Sequence, residues 1–373
     1  MSDYWSSLPT DLVSNVGKHL LVDDDIDCYM HLRAVCKSWR DTGITNNPME
    51  QNYADPSRFQ PSKWVLLDRH GDVLTFVNVE TGRFLVKNIP LLRKYFFVGA
   101  TGGGLIILEE PTSPYQACVL NPFTGSIARF KVSVPTGGVK AFVVTSSPMM
   151  LFVSGNAGSI MWADQNSEDF HEYWADYRNT PLSMAPFLSD VYLSDQEGSI
   201  LSPNIADASA EERSHLSAQT ISMATKIRSH DRHPAWDYYL VESGRELLLV
   251  ARPWYNKHSK PVVHRVNIEK NKLELVRSIG NRALFVSDVR CLSVDANKFQ
   301  AIEGGCIYFI DPILAAGNRE ASLITTFHVA DRVQDAILDL DNMAGCSQQP
   351  FSLAQVFADY CRSIYYSERG RRT

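Results

Sequence analysis

Three groups of residues have types and spacings from which chemistry is often built. Thr101-Gly102-Gly103-Gly104, ahead of Leu105-Ile106-Ile107-Leu108, has the glycine content of a phosphate cradle. Such a loop needs a Gly-Lys-Ser/Thr ending, or a G-x-G-x-x-G frame opening a helix, so that backbone N–H groups converge on the anion. Neither is present, and the run reads as a tight turn before a buried strand. His230 and His233 flank Asp231, but a zinc site takes more ligands on a rigid frame, and Pro234 marks a flexible loop. Glycoside hydrolysis would need two carboxylates converging on one channel; Asp and Glu are scattered and no pair stands out. Asp164 and Asp311-Pro312 read as turn residues. No G-x-S-x-G elbow occurs. No catalytic, cofactor-binding or metal-ligating residue is therefore assigned, and no cofactor is expected.

What the spacing does supply is apolar surface on short helices. Leu8-Pro9-Thr10-Asp11-Leu12 reads as a helix start. Proline is tolerated in the first turn because its missing N–H has no partner there, and Asp11 sits near the positive end of the helix dipole. Leu12, Val16 and Leu20 fall on one face. Asp23-Asp24-Asp25 breaks this helix, and Asp25 or Asp27 can cap a short second one. Leu32, Val35, Cys36 and Trp39 then give the strongest helical periodicity in the chain, before Pro48. Helices this short bury little by themselves. The stripe with its indole must pack on the rest of the chain or on a partner, and periodicity alone favours the former.

The remaining 320 or so residues must be weighed as the frame for this surface. The chain has 373 residues, 45% hydrophobic and 21% charged, with net charge −6. That balance is globular and argues against a nucleic-acid partner, which calls for a basic excess. The only basic concentration, Arg369, Arg371 and Arg372, reads as a solvated terminus. Seven cysteines without a C-x-x-C pair suggest neither a disulfide framework nor a zinc site, and read as reduced thiols. The absence of a secretory leader or a long apolar run predicts a protein of the cytoplasm or nucleus with no membrane partner.

From Trp64 the texture changes to short apolar runs separated by turns. Val65-Leu66-Leu67, Val73–Val77 and Arg83–Val86 form a hairpin series. Asn78-x-x-Thr81-Gly82 recurs as Asn121-x-x-Thr124-Gly125, and Gly158-Ser159-Ile160 as Gly198-Ser199-Ile200. A period of roughly 40–45 residues suits four-stranded propeller blades, which gives roughly six. Further strands are expected at Tyr238–Val241, Glu246–Ala251, Val262–Ile268, Leu273–Val276, Ala283–Val286, Leu292–Val294 and Ile307–Ile310. A β-sandwich with extra hairpins is the competing architecture. Residues 203–235 read as a polar excursion between blades, and Leu353, Val356, Phe357, Tyr360 and Ile364 have the spacing of a final helix.

The series Trp5, Leu8-Pro9, Asp11-Leu12, Val16, Leu20, Leu32 and Val35-Cys36-Lys37-Ser38-Trp39-Arg40 closely resembles the F-box, over about residues 3–47. It departs in its three successive aspartates and in Val16-Gly17, where the family prefers two bulky aliphatics. Trp64-Val65-Leu66-Leu67, Tyr239–Ser243 with Glu246–Val250, Ala283–Val286 and Gly305–Phe309 resemble the domain of unknown function 295 that follows the F-box in many plant proteins. The resemblance implies an α+β chain. An F-box spans residues 3–50 and a linker 51–62. A β-propeller-like, kelch-like domain follows at 63–345, and a C-terminal helix or tail at 346–373. It also implies a non-catalytic substrate receptor of an SCF-type ubiquitin ligase. Leu8, Pro9, Leu12, Val16, Leu32, Val35, Cys36 and Trp39 would meet a Skp-family adaptor, and through it the cullin–RING ligase. The propeller would hold a protein substrate that the sequence does not name. The alternative is a carbohydrate- or small-molecule-binding propeller without a ligase role.

Overall fold

The computed structural model describes residues 8–22, 25–41, 59–155, 158–173, 183–188, 190–195, 198–202, 219–223, 236–253, 260–314, 320–339 and 352–372. Three short helices lead: α1 (Thr10–Val22), α2 (Ile26–Ala34) and α3 (Lys37–Asp41). The Asp25 carboxylate accepts the Cys28 N–H at 3.1 Å and caps α2. The Leu32–Trp39 periodicity does not run through one helix. The chain leaves α2 at Val35 and re-enters helix at Lys37, so the stripe crosses a break.

Six sheets follow. Blade 1 holds β1 (Trp64–His70), β2 (Val73–Asn78) and β3 (Phe84–Asn88). Blade 2 holds β4 (Phe96–Ala100), β5 (Ile106–Glu109), β6 (Gln116–Leu120) and β7 (Ile127–Ser133). Blade 3 holds β8 (Val139–Val144), β9 (Met150–Gly155), β10 (Ile160–Asp164) and β11 (His171–Tyr173). Blade 4 holds β12 (Ser183–Phe187), β13 (Asp190–Ser194), β14 (Ser199–Ser202) and β15 (Gln219–Met223). Blade 5 holds β16 (Trp236–Ser243), β17 (Glu246–Pro253), β18 (Val262–Asn267) and β19 (Lys272–Val276). Blade 6 holds β20 (Arg282–Val286), β21 (Cys291–Asp295), β22 (Cys306–Leu314), β23 (Glu320–His328) and β24 (Val333–Asp339), in the order β21-β20-β22-β23-β24.

Apolar cores between successive blades explain the near-continuous hydrophobic runs. Strand side chains alternate between faces, and here both faces are covered. Tyr238 and Leu240 pack towards blade 4 with Ala185 and Tyr192, whereas Tyr239 and Val241 pack towards blade 6 with Leu284 and Ile307. This ring of sheets replaces the β-sandwich alternative. The Asn-x-x-Thr-Gly repeat has a physical basis. The Asn78 Oδ1 accepts the Glu80 and Thr81 N–H groups at 3.0 and 2.9 Å, and Asn121 Oδ1 those of Phe123 and Thr124 at 3.0 and 3.2 Å. Each turn ends in a glycine at positive φ, +71° for Gly82 and +78° for Gly125.

In both blades that turn joins the last two strands. By this register β1–β3 match β5–β7, and blade 1 has no counterpart of β4 among the described residues. At this junction α4 (Leu353–Arg362) packs, capped by Ser352 and Gln355 in a capping box. Ala354, Phe357, Ala358, Tyr360 and Cys361 share one core with Val65 and Val77 of blade 1 and Phe285 and Val294 of blade 6. Tyr365 then pairs with Val139 of β8 by two backbone hydrogen bonds of 2.8 and 2.9 Å. In α5 (Glu368–Arg372), Glu368 meets Arg69 at 2.7 Å.

Three local expectations are corrected. Arg369 is not a solvated terminal charge: it pairs with the fully buried Glu109 at 3.0 Å and lies over the Tyr115 ring. Asp311 is not a turn residue: it lies within β22, and Arg252 on the neighbouring blade grips both its oxygens at 2.5 and 2.8 Å. The 203–235 excursion is interrupted by β15, which pairs with β14; His230 and His233 lie outside the described residues. Asp164 is the last residue of β10 and holds the turn that follows, its Oδ1 accepting from Asn166 and Ser167. The Thr101–Gly104 run is a tight turn with Gly104 at φ +94°. A Cβ on Gly103 would meet the Pro61 carbonyl oxygen at 2.6 Å, which explains glycine there.

Candidate docking surface of the N-terminal helices

The helices are seated on blades 1 and 2. Val13 and Gly17 are the buried residues of α1, and Ile26, Asp27 and Tyr29 those of α2. Ile26 enters the core of Trp64, Leu74, Phe76 and Leu120. Tyr29 packs on Phe59 with ring centroids 5.6 Å apart, beside Leu20 and Leu21. Charge fixes the orientation. Asp27, 2% exposed, takes Arg83 Nη2 at 3.0 Å and Lys87 Nζ at 2.7 Å. Asp25 takes Arg83 Nη1 at 2.9 Å while capping α2. Arg83 lies 5.7 Å from the Trp64 ring centre. Burial first, then the Asp25 hydrogen bond, raises the Cys28 thiol above its ordinary value, so it stands in this network as a neutral group.

The residues singled out from sequence lie away from this seat. Leu12 and Val16 are each 50% exposed and Val35 is 55% exposed. Pro9 is exposed, and Leu8, Leu32, Cys36 and Trp39 are half-buried. None of the eight is fully buried, and none belongs to the cores between helices and propeller. The Trp39 N–H approaches Cys36 Sγ at 3.4 Å, which holds the start of α3. Sequence reasoning did not find Tyr29, Arg83 or Lys87 as seat residues. Arg83 and Lys87 stand 56 and 60 positions from Asp27, and nothing in either local pattern signals the pairing.

A second feature is a cavity of about 810 Å³ at the propeller centre. Its lining includes Gly102 and Gly103 after β4, Phe142 of β8, Glu242 of β16 and Tyr360 of α4. Lys18, Leu21 and Val22 of α1 line it too, so one helix borders the cavity with its last turn and exposes Leu12 and Val16 further back. Four of the charged lining groups form two ion pairs, Lys63 with Glu242 at 3.1 Å and Arg282 with Glu80 at 2.6 Å. No helix among the described residues is long and apolar enough to cross a membrane.

Fold and surface together define a six-bladed β-propeller preceded by short helices. The chain belongs to the KIB1-4 beta-propeller family, whose model matches residues 76–330. No F-box family model matches the N-terminal segment. Comparison with curated proteins gives no match. Similar solved structures include BamB from Moraxella catarrhalis, at 11% identity over 75% of this chain and 90% of that one, with a TM-score of 0.32. The Myceliophteria thermophila Cps50 (Swd1) β-propeller domain is similar at 11% identity over 72% and 82%, TM-score 0.32. Kluyveromyces lactis Hsv2 is similar at 13% over 56% and 67%, TM-score 0.28.

Proposed function

We propose that this protein is the substrate-recognition subunit of an SCF-type ubiquitin ligase, acting in the cytoplasm or nucleus. One observation carries the reading: of the F-box-like residues, Pro9, Leu12, Val16 and Val35 are exposed, leaving apolar surface for a partner. A propeller of the KIB1-4 kind is typical of plant F-box proteins. On this reading Leu8, Pro9, Leu12, Val16, Leu32, Val35, Cys36 and Trp39 meet a Skp-family adaptor. The propeller holds the substrate, and the receptor makes and breaks no bonds itself. Rate comes from proximity, because a held lysine meets the activated ubiquitin carrier at high effective concentration.

The test is binding of the full chain to purified adaptor, with Leu12→Ala, Val16→Ala and Val35→Ala combined. These truncations delete about seven methyl or methylene groups, worth about 0.8 kcal/mol each when fully buried. Since these residues stay about half exposed, a partner can claim roughly half of that, about 3 kcal/mol or about 100-fold in affinity. Unfolding should move by less than about 1 kcal/mol, because all three side chains lie at the surface, half exposed. Unchanged affinity would overturn the proposal.

The central cavity favours a second reading, a carbohydrate- or small-molecule-binding propeller, since about 810 Å³ lies within the range of ligand sites. Ligand binding by a chain with no affinity for adaptor would select it.

A further inference from the structure

Among the described residues, one cluster brings three different metal-ligating side chains together: Glu303, Cys306 and His328, whose ligand atoms lie within 4.8 Å of one another. Cys306 opens β22 and stands directly opposite His328 at the end of β23 in the antiparallel register. The Cys306 Sγ is 3.2 Å from His328 Nδ1, and Glu303 Oε1 is 3.5 Å from the same nitrogen. The Tyr308 hydroxyl accepts the Glu303 N–H at 3.0 Å and pins the preceding turn. On the far side of the ring, His328 Nε2 meets Asp335 Oδ2 at 3.0 Å.

We infer that Glu303, Cys306 and His328 form a binding site for one zinc-class divalent cation, with Asp335 as the positioning residue of the imidazole. The geometry fits. With Zn–S near 2.3 Å and Zn–N or Zn–O near 2.0–2.1 Å, tetrahedral ligands lie about 3.6 Å apart for sulfur–nitrogen and about 3.3 Å for nitrogen–oxygen. The separations of 3.2 and 3.5 Å need shifts of only a few tenths of an ångström, and the Cys306 sulfur lies within 4.8 Å of the Glu303 carboxylate, whose exposed side chain can turn to close the third edge. The electrostatics point the same way. In the tautomer that places Nε2–H on Asp335, the Nδ1 lone pair faces both the Cys306 sulfur and the Glu303 carboxylate, so a cation between them would meet three ligand atoms at once. A carboxylate behind a metal-facing histidine is also the usual means of fixing its tautomer and raising its basicity. Thiolate with imidazole selects zinc or cobalt over magnesium or calcium. Glu303 and Asp335 are both 64% exposed, so the site opens to solvent and a water can complete four-coordination.

Metal entry displaces the Cys306 thiol proton. Binding therefore releases a proton and tightens as pH rises. The Glu303 and Asp335 carboxylates beside the imidazole favour a dication. Sequence reading assigned no metal here, because Cys306 and His328 are 22 positions apart and only the β22–β23 register sets them face to face.

The test uses the full chain, reduced and stripped of metal. Zinc is titrated in competition with a chromophoric chelator, and cobalt is added separately as a spectroscopic probe. The expected result is one zinc per chain, and a cobalt complex with a thiolate charge-transfer band and tetrahedral ligand-field bands. Cys306→Ser and His328→Gln should each weaken zinc by about 100-fold or more and abolish the thiolate band, and Asp335→Asn should weaken it by about 10–100-fold. Cys118→Ser, remote from the cluster, should change nothing. Each variant's metal-free melting curve checks folding. Should Cys306→Ser fail to fold, Glu303→Gln and the wild-type cobalt spectrum decide. A wild-type chain without the cobalt band, or zinc binding that survives Cys306→Ser or Glu303→Gln unchanged, overturns the assignment.

Discussion

Replacing Arg83 with alanine tests whether the helices are seated as a rigid part of the propeller. Asp27 is 2% exposed and would keep Lys87 at 2.7 Å but lose the guanidinium at 3.0 Å. Breaking a buried ion pair by removing one partner typically costs 3–5 kcal/mol. Retention of Lys87, and solvent screening of an Arg83 that is itself 35% exposed, reduce this to about 2–3 kcal/mol. The loss should be local. Hydrogen exchange of α2 amides should speed up by about 30–100-fold while the strands of blades 3–5 keep their protection. Asp27→Ala with Arg83→Ala in a double-mutant cycle should show coupling above about 1 kcal/mol. Exchange in α2 within threefold of wild type, or an additive cycle, would refute the seat as argued.

The junction of first and last blades gives a second prediction. Phe357 is fully buried and meets Phe285 and Phe299 at 5.4 and 5.2 Å, so Phe357→Ala should cost about 3–5 kcal/mol in chemical unfolding. Glu109 gives a third: burial raises its carboxyl above the ordinary value, with Ser367 and Arg369 opposing. Because the folded state then holds its proton more tightly than the unfolded one, this group's contribution is full below the unfolded value of about 4.5. It is lost as pH rises through the raised value. The melting-temperature difference between wild type and Glu109→Gln should therefore shift against wild type as pH rises from about 4 towards 7; a flat difference would contradict the argument.

How much of this was legible in the sequence depended on the range of the interaction. Asn78-x-x-Thr81-Gly82 and its partner at Asn121 were readable because an Asx turn and a positive-φ glycine are local facts. Blade strands such as Glu246–Pro253 announced themselves as continuous apolar runs, since each is covered on both faces. Leu12 and Val16 were readable as one helix face, but whether that face turned in or out was not: the answer lay in Asp27 finding Arg83 and Lys87 across the linker. Arg369 looked like tail because its partner, Glu109, sits 260 residues earlier in the interior of blade 2. The Leu32–Trp39 stripe misled in one respect, since periodicity does not register a break at Val35-Cys36 that preserves the spacing.

On the ligase reading, the seat has a consequence beyond stability. A receptor whose adaptor-binding helices swing freely would spread its substrate over many orientations and dilute the effective concentration at the ubiquitin carrier. Here Ile26, Tyr29 and the Asp27 ion network fix the direction from the outward face of α1 to the propeller. The last turn of α1 also borders the central cavity, so the outward apolar face and the cavity share one helix. The Arg83 guanidinium meets Asp25, Asp27, Cys28 and the Trp64 ring, none of which lies on the outward face of α1. Arg83→Ala should therefore leave adaptor affinity near wild type yet slow ubiquitin transfer to a bound substrate. A loss of affinity matching the loss of transfer would mean that the seat shapes the docking face itself and does not act as a rigid arm.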